Sequence, residues 1–437
     1  MRRVEEMVFR TIARYGARRV PGALRLAARA FISGQGVRGP AIREFEERFA
    51  ALHGVRHATA ASYGRMAFYY ILRALELPEG SEILIPALTF WVVPEMARVA
   101  GLRPVFVDVD PRTYTLDPRA LPAALTERTR ALVPTHLYGQ PCDMEPILRF
   151  AERHGLFVIE DCAHALGATY RGRLVGTFGH AAFFSFQLLK GLNTYGGGMA
   201  LTDDDALARR IRALAESEPW PSLLSVVKKL LLGWVQETCI GPRGFTVTLF
   251  PVLWIASFFG DRDVTVFLWE KIRRLDPLPA AYRRRYSNVQ AMIGLKALEH
   301  LAEWNARSRQ YARRMSEGLA GIPSLALPFP LPETDPVYYQ YCLRVSDPAA
   351  LTRRAIRRGI DIEMMHVDIC SKLPLFAAQA RSCPGAETAV QTRQLPVYAS
   401  LRPSDVERII RVIREISRDL PPLRVEAKES VAHECSP

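Results

Sequence analysis

The chain has 437 residues, 49% hydrophobic and 24% charged, enough for two or three domains with large cores and too ordinary for a mainly disordered or fibrous protein. A formal net charge of +13 favours anionic partners such as phosphorylated small molecules or an anionic membrane. With no zinc-finger spacing and no aromatic RNA-binding motif, no nucleic-acid partner is expected.

Residues 1–33 place arginines every few positions between apolar residues. They lack the unbroken apolar core of a signal peptide, and read as a basic amphipathic helix on a membrane surface or as a helix packed on the domain. From Ile42 to about Ala215, helical and strand patterns alternate. Arg43 to His53, Arg65 to Leu75 and Pro146 to His154 have helical spacing. Glu82 to Pro86, Pro104 to Val107, Ala131 to Pro134 and Phe157 to Ile159 are strand-like. Such alternation predicts an α/β fold, a mostly parallel sheet with helices on both faces and ligands at the carboxyl ends of its strands.

The pattern breaks from Trp220 to Pro279, where LLSVVKKLLLGWV and GFTVTLFPVLWIASFFG follow one another with no charge between Gly244 and Gly260. The second run is short for a membrane span and contains Pro251, so it reads as an interfacial hairpin or a buried helical subdomain. Asn288 to Leu319 reads as one long helix. Strand-like Tyr339 to Val345 and helical Ala349 to Arg358 and Ser404 to Arg418 predict a smaller α+β domain. The polar end from Pro421 to Pro437 predicts disorder. The expected units are thus 34–219 (large α/β domain), 220–279 (apolar insert), 280–420 (small domain with its linking helix) and 421–437 (tail). Seven cysteines, an odd number without a CxxC, predict free thiols and a reducing, cytoplasmic compartment.

One stretch carries chemistry. An apolar run, Leu156 to Ile159, ends in Glu160 and Asp161; a second, Ala181 to Phe186, carries Ser185; Lys190 follows, then Gly196-Gly197-Gly198. A buried carboxylate at a strand end, a hydroxyl and a nearby lysine are what pyridoxal 5'-phosphate requires. Its aldehyde takes an amine, its ring nitrogen an anion and its phosphate hydrogen-bond donors. The loop Ser62-Tyr63-Gly64-Arg65 opens a helix and offers N–H groups to an anion, with Arg65 as a charged fork; otherwise Ser62 is a plain N-cap. Gly34, Gly36 and Gly39 fit GxGxxG, but follow no clear strand and have no acidic residue at the ribose distance, which argues against a nicotinamide site. The nine histidines form no HxH or HExxH, so no metal site is expected.

The chain resembles the DegT/DnrJ/EryC1/StrS aminotransferases. The resemblance rests on GVRGPAIREFEERFAALHGV, ILIPALTFWVV, PVFVDVDPRTYTLDP, VPTHLYGQPCDM, VIEDCAHALGATYRGRLVGTFG, FFSFQLLKGLNTYGGGM and CPGAETAVQTRQLPVYASLRPSDVERII. It implies the aspartate-aminotransferase-like (type I) fold, pyridoxal phosphate, and amino transfer from an amino acid, glutamate by the resemblance, to a keto sugar bearing a nucleotide. By the same resemblance Lys190 is the Schiff-base lysine and Asp161 the partner of the ring nitrogen. Ser185 is a phosphate ligand, Phe90 the aromatic stacked on the ring, and His164 the residue near the ring hydroxyl. Gly64 and Arg65 take the place of a Gly-Thr phosphate loop. Arg283 stands where the family has an Asn reaching the phosphate of the neighbouring subunit, so a homodimer is implied. Arg65 and Arg283 are departures that would add positive charge at the phosphate; the insert is a third. Related dehydratases lack the lysine. A non-catalytic regulatory protein on this fold, or an enzyme meeting a lipid-linked sugar at the membrane through 220–279 and the N-terminus, are the other readings.

Overall fold

A computed structural model describes residues 11–259, 270–362, 364 and 367–423. The first ten residues of the basic segment, ten residues of the insert and residues 424–437 of the expected tail lie outside the described residues. The large domain is built on seven strands: β1 (His57–Ala61), β2 (Glu82–Pro86), β3 (Arg103–Val107), β4 (Thr129–Leu132), β5 (Phe157–Asp161), β6 (Ala181–Ser185) and β7 (Gly198–Thr202). Their order across the sheet is β1-β7-β6-β5-β4-β2-β3. Pairing is parallel from β6 to β3, and only β7 runs against its neighbours. This is the α/β sheet that the alternating pattern predicts.

Successive strand residues alternate between the two faces of the sheet, as their period of two requires. Ile83 and Ile85 of β2, Phe183 of β6 and Ala200 of β7 enter one hydrophobic cluster. Phe184 of β6 and Met199 and Leu201 of β7 enter a second, and Leu84 and Val158 a third. With both faces covered, the strands read as continuous apolar runs rather than alternating ones.

β1 and β7 lack a strand signal in the sequence. HATAA and GMALT are small-residue strands whose place is set by the sheet around them rather than by propensity. The expected long helix is two, Asn288–Leu298 and Leu301–Leu319. It breaks where its partner changes: Val289, Ile293 and Ala297 pack in the large domain, whereas Tyr311, Met315 and Leu319 pack in the small one. The small domain has an antiparallel sheet of Leu325–Ala326, Tyr341–Val345 and Thr392–Leu395, covered by Leu301–Leu319, Pro348–Arg357 and Pro403–Arg418.

The insert is helical: Leu223–Ile240, Pro242–Val247 and Leu249–Ala256. Phe245 and Leu253 are buried against Ala13 and Ile356, while Leu224, Leu231, Leu232, Val247, Ile255 and Phe259 are exposed. No described helix is long and apolar enough to cross a membrane.

Candidate active site

Asp161 closes β5, and Lys190 lies five residues beyond the end of β6, the strand beside it. Both therefore stand at the carboxyl edge of the sheet, where the parallel strands end together. Asp161 is buried and accepts the Ala163 N–H at 3.0 Å. Burial raises its carboxyl from 3.8 to about 6, against the pull of that N–H and of Lys190. Burial also lowers the Lys190 ammonium from 10.5 to about 8; Asp161 opposes that shift and Arg65 adds to it. The two groups are close enough to bias each other, and each is shifted toward its neutral form by desolvation.

The anion end lies where β6 and β7 meet the helix Gly64–Ala74. Tyr63 is the N-cap, in extended conformation and without a side-chain cap. Ser62 is no cap: its hydroxyl donates to the Tyr282 carbonyl instead. Among the described residues the N–H groups of Gly64 and Arg65 and the Ser185 hydroxyl have no protein partner. A Cβ on Gly64 would stand 2.8 Å from Ser185 Cβ and 2.9 Å from the Phe184 carbonyl oxygen, so only glycine lets the helix end approach Ser185 this closely. Gly198 pairs with Ser185 in the sheet. The turn before it, with positive φ at Tyr195, Gly196 and Gly197, is held by Gln290 Nε2 on the Thr194 and Gly196 carbonyls at 3.0 and 2.8 Å.

Aromatic rings wall the site. Tyr339 lies stacked on His164, ring centres 4.2 Å apart, and Lys190 Nζ is 5.0 Å from the Tyr339 centroid. His164 Nδ1 accepts the Tyr138 N–H at 3.4 Å. The Arg65 guanidinium lies 4.9, 5.7 and 6.0 Å from the ring centres of Tyr282, Tyr63 and Phe90. It also forms a fork with both oxygens of Glu270, at 2.7 and 2.6 Å.

The two arginines expected to add charge do so less than their sequence positions suggest. Glu270 offsets Arg65, and Arg283 pairs with Glu218 at 3.1 Å, half-exposed and outside the group around Lys190. Glu218 caps the helix Asp205–Ser217 just before the insert, and Glu270 lies within the insert. Tyr339 and Glu270 carry no signal in the sequence beyond residue type, because each reaches the site from a distant segment.

Glu160, next to Asp161, faces the other way. Its two oxygens accept His136 Nε2 at 2.9 Å and the N–H groups of Gly176, Phe178 and Gly179 at 2.8, 2.6 and 2.7 Å. Burial opposes its charge, but these donors outweigh it and hold the carboxyl below its ordinary value. With Cys162 this brings three buried metal-ligand types within 4.8 Å, a cluster the sequence spacing does not foretell. Its ring nitrogens are already engaged, His136 Nδ1 by the Cys142 N–H at 3.0 Å, and the network anchors the loop 174–179 behind β5. GxGxxG is likewise a packing device: a Cβ on Gly36 would meet Phe31 and one on Gly39 would meet Asn288.

The residues fit pyridoxal phosphate at both ends. A buried carboxylate that water no longer stabilises calls for a cation, and a helix end with open N–H groups beside an unpartnered hydroxyl calls for an anion.

Comparison with known proteins agrees. The model of the DegT/DnrJ/EryC1/StrS aminotransferase family matches residues 23–218 and 257–414. The chain is 31% identical over 390 residues to the spore coat polysaccharide biosynthesis protein SpsC of Bacillus subtilis, covering 87% of this chain and 90% of that one. It is 32% identical over 380 residues to the UDP-N-acetyl-3-dehydro-alpha-D-glucosamine 3-aminotransferase of Acidithiobacillus ferrooxidans, covering 85% and 87%. Among solved structures, S. venezuelae DesV in complex with a ketimine intermediate superposes with a TM-score of 0.73 at 30% identity, over 91% of this chain and 95% of that one. The chain belongs to the DegT/DnrJ/EryC1/StrS aminotransferase family.

Proposed function

We propose that the chain is a pyridoxal-phosphate-dependent aminotransferase that moves the amino group of an amino acid, glutamate by resemblance, onto a keto sugar carried on a nucleoside diphosphate. The observation that carries this reading is the placement of Lys190 and the buried Asp161 together at the carboxyl edge of the sheet, at the ends of neighbouring parallel strands. The names of the relatives, which include a UDP-sugar and a dTDP-sugar enzyme, support the substrate class.

Bound pyridoxal phosphate would supply an aldehyde that captures amines and a protonated ring that accepts the electron pair left when a Cα proton departs. Asp161 would hold a negative charge opposite the ring nitrogen and keep it protonated. Lys190 Nζ, substantially neutral near pH 8, would take the Cα proton and return it. The N–H groups of Gly64 and Arg65 and the Ser185 hydroxyl would hold the phosphate, with Phe90 and His164 lining the ring.

Borohydride reduction followed by peptide mapping tests this. The expected tag is on Lys190 and absent from Lys190→Ala; a tag elsewhere, or none, overturns it. A panel of nucleotide ketosugars with glutamate, read by mass spectrometry, then identifies the acceptor.

A homodimer belongs to the same reading. Arg283 is turned out of its own site onto Glu218, close to a cleft of about 610 Å³ lined by Arg43, Glu46, Trp220, Arg284 and Arg285, where a neighbouring subunit would approach. The mass in solution tests it. A second reading places the enzyme at a membrane surface, on the strength of the exposed apolar side chains of the insert. Equal liposome binding by the chain with and without 220–279 would remove it.

A further inference from the structure

We propose that Lys229, carried by the insert, binds the phosphate of the cofactor from within the same chain. This rests on reading Lys190, Asp161 and Gly64 as a pyridoxal phosphate site. It goes beyond that reading because residue 229 falls in the stretch 219–256 that the family match skips.

Lys229 lies on the buried side of the helix Leu223–Ile240, with Val226, Leu230, Gly233 and Glu237. Positions 229, 233 and 237 share one face at a spacing of four. Two contacts fix that face against the glycine turn. A Cβ on Gly233 would lie 2.4 Å from the Tyr195 ring, so glycine allows the helix to seat there. The Tyr195 hydroxyl donates to Glu237 at 2.9 Å. One turn earlier, the same face delivers the lysine. Its Nζ is 4.8 Å from the centroid of Tyr63, the residue that opens the phosphate helix, and would be 3.5 Å from a Cβ on Gly196. Gly198, two residues on, pairs with Ser185. The ammonium is therefore held beside the residue that opens the phosphate helix and beside the turn that leads into β7.

Lys229 is mostly enclosed, and burial lowers its pKa. Among the described residues no carboxylate or carbonyl meets it. Three enclosed arginines differ: Arg65 has Glu270, Arg14 has Asp361, and Arg18 has the Gly191 carbonyl and Asn305. A largely enclosed ammonium with only a ring face beside it is short of an anion. The anion end is in turn short of a cation, since Arg65 is offset by Glu270 and Arg283 is drawn onto Glu218. A helix end alone supplies about half an elementary charge, and a phosphate monoester carries up to two.

The test uses the full chain stripped of cofactor. Pyridoxal phosphate and pyridoxal, which lacks the phosphate, are titrated by absorbance into wild type, Lys229→Met, Lys229→Arg and the neighbouring surface variant Lys228→Met. A charge-assisted contact predicts a loss of pyridoxal phosphate affinity in Lys229→Met of roughly ten- to hundredfold. Pyridoxal affinity should stay unchanged, which also reports that the variant is folded. Lys229→Arg should recover most of the loss, and Lys228→Met should show none. An unchanged ratio of the two affinities in Lys229→Met overturns the proposal. So does an effect confined to the KM of the nucleotide sugar, which would give the lysine to the substrate diphosphate. Borohydride tagging of Lys190 at saturating cofactor keeps the two readings apart. A tag in every variant leaves the cofactor assignment standing whatever Lys229 does, and no tag in wild type removes both.

Discussion

Asp161 and Lys190 are each held away from their charged forms by desolvation. For Asp161 the folded carboxyl titrates at about 6 against an ordinary 3.8, so folding favours its protonated form. Its contribution to stability is complete below about pH 4 and lost as pH rises through about 6. In cofactor-free protein, Asp161→Asn is expected to raise stability at pH 7 to 8 by up to about 3 kcal/mol and to change nothing at pH 4. Urea melts at the two pH values measure this, and equal effects at both would contradict it. The same variant should lose most turnover. For Lys190 the reactive species is the neutral amine, so the rate of cofactor capture should rise with pH and level off above about 8 rather than above 10.5. Removing the Asp161 charge should move that inflection lower, and stopped-flow absorbance gives both profiles. In the sequence Asp161 follows one apolar run, Ser185 lies in the next with Lys190 after it, and Gly64 stands where a helix opens. Tyr339, Glu270 and Lys229 are not legible there, because what matters about them is which distant segment they meet.

The helix Gly64–Ala74 and the strands β6 and β7 form the anion end as a set of close approaches. A Cβ on Gly198 would lie 2.4 Å from Gly64 Cα and 2.5 Å from its nitrogen, so the two glycines depend on each other. Gly64→Ala would force the helix end off Ser185 at a cost of roughly 1–3 kcal/mol, as overpacking does. It should weaken pyridoxal phosphate far more than pyridoxal, in an absorbance titration. At this scale the sequence indicates helices and central strands well, since each has an apolar period of its own. It is silent on β1 and β7, whose alanines and glycines gain strand character only from their neighbours. It also runs Asn288–Leu298 into Leu301–Leu319, because local pattern does not record a change of packing partner.

Across the whole molecule, the net charge of +13 acts at long range on anionic substrates. The KM for a nucleotide sugar should rise severalfold between about 0.01 and about 1 M salt, where the screening length falls from about 30 to about 3 Å. The kcat should change little, and steady-state kinetics at the two salt levels decide it. The alternating pattern indicates the large α/β sheet, which the fold shows, and the apolar run from Trp220 to Pro279 stands out against it. The role of that run is not legible in the sequence, since apolar composition alone does not separate a lipid-facing surface from a contact with the site.

The lone antiparallel strand β7 sets a limit on how this enzyme can vary. Every other strand of the sheet delivers its last residue to the reaction edge, so the loops that follow can lengthen without disturbing the layers. β7 delivers its first residue there, and the eight-residue path from Lys190 to Gly198 is also the lead-in to the strand. One extra residue in that path, if taken up as a register slip, would carry Met199 and Leu201 to the opposite layer and Ala200 to theirs. The spacing between the amine and the glycine triplet is therefore a ruler built into the chain, whereas length added in the segment 219–256, which the family match skips, does not alter it.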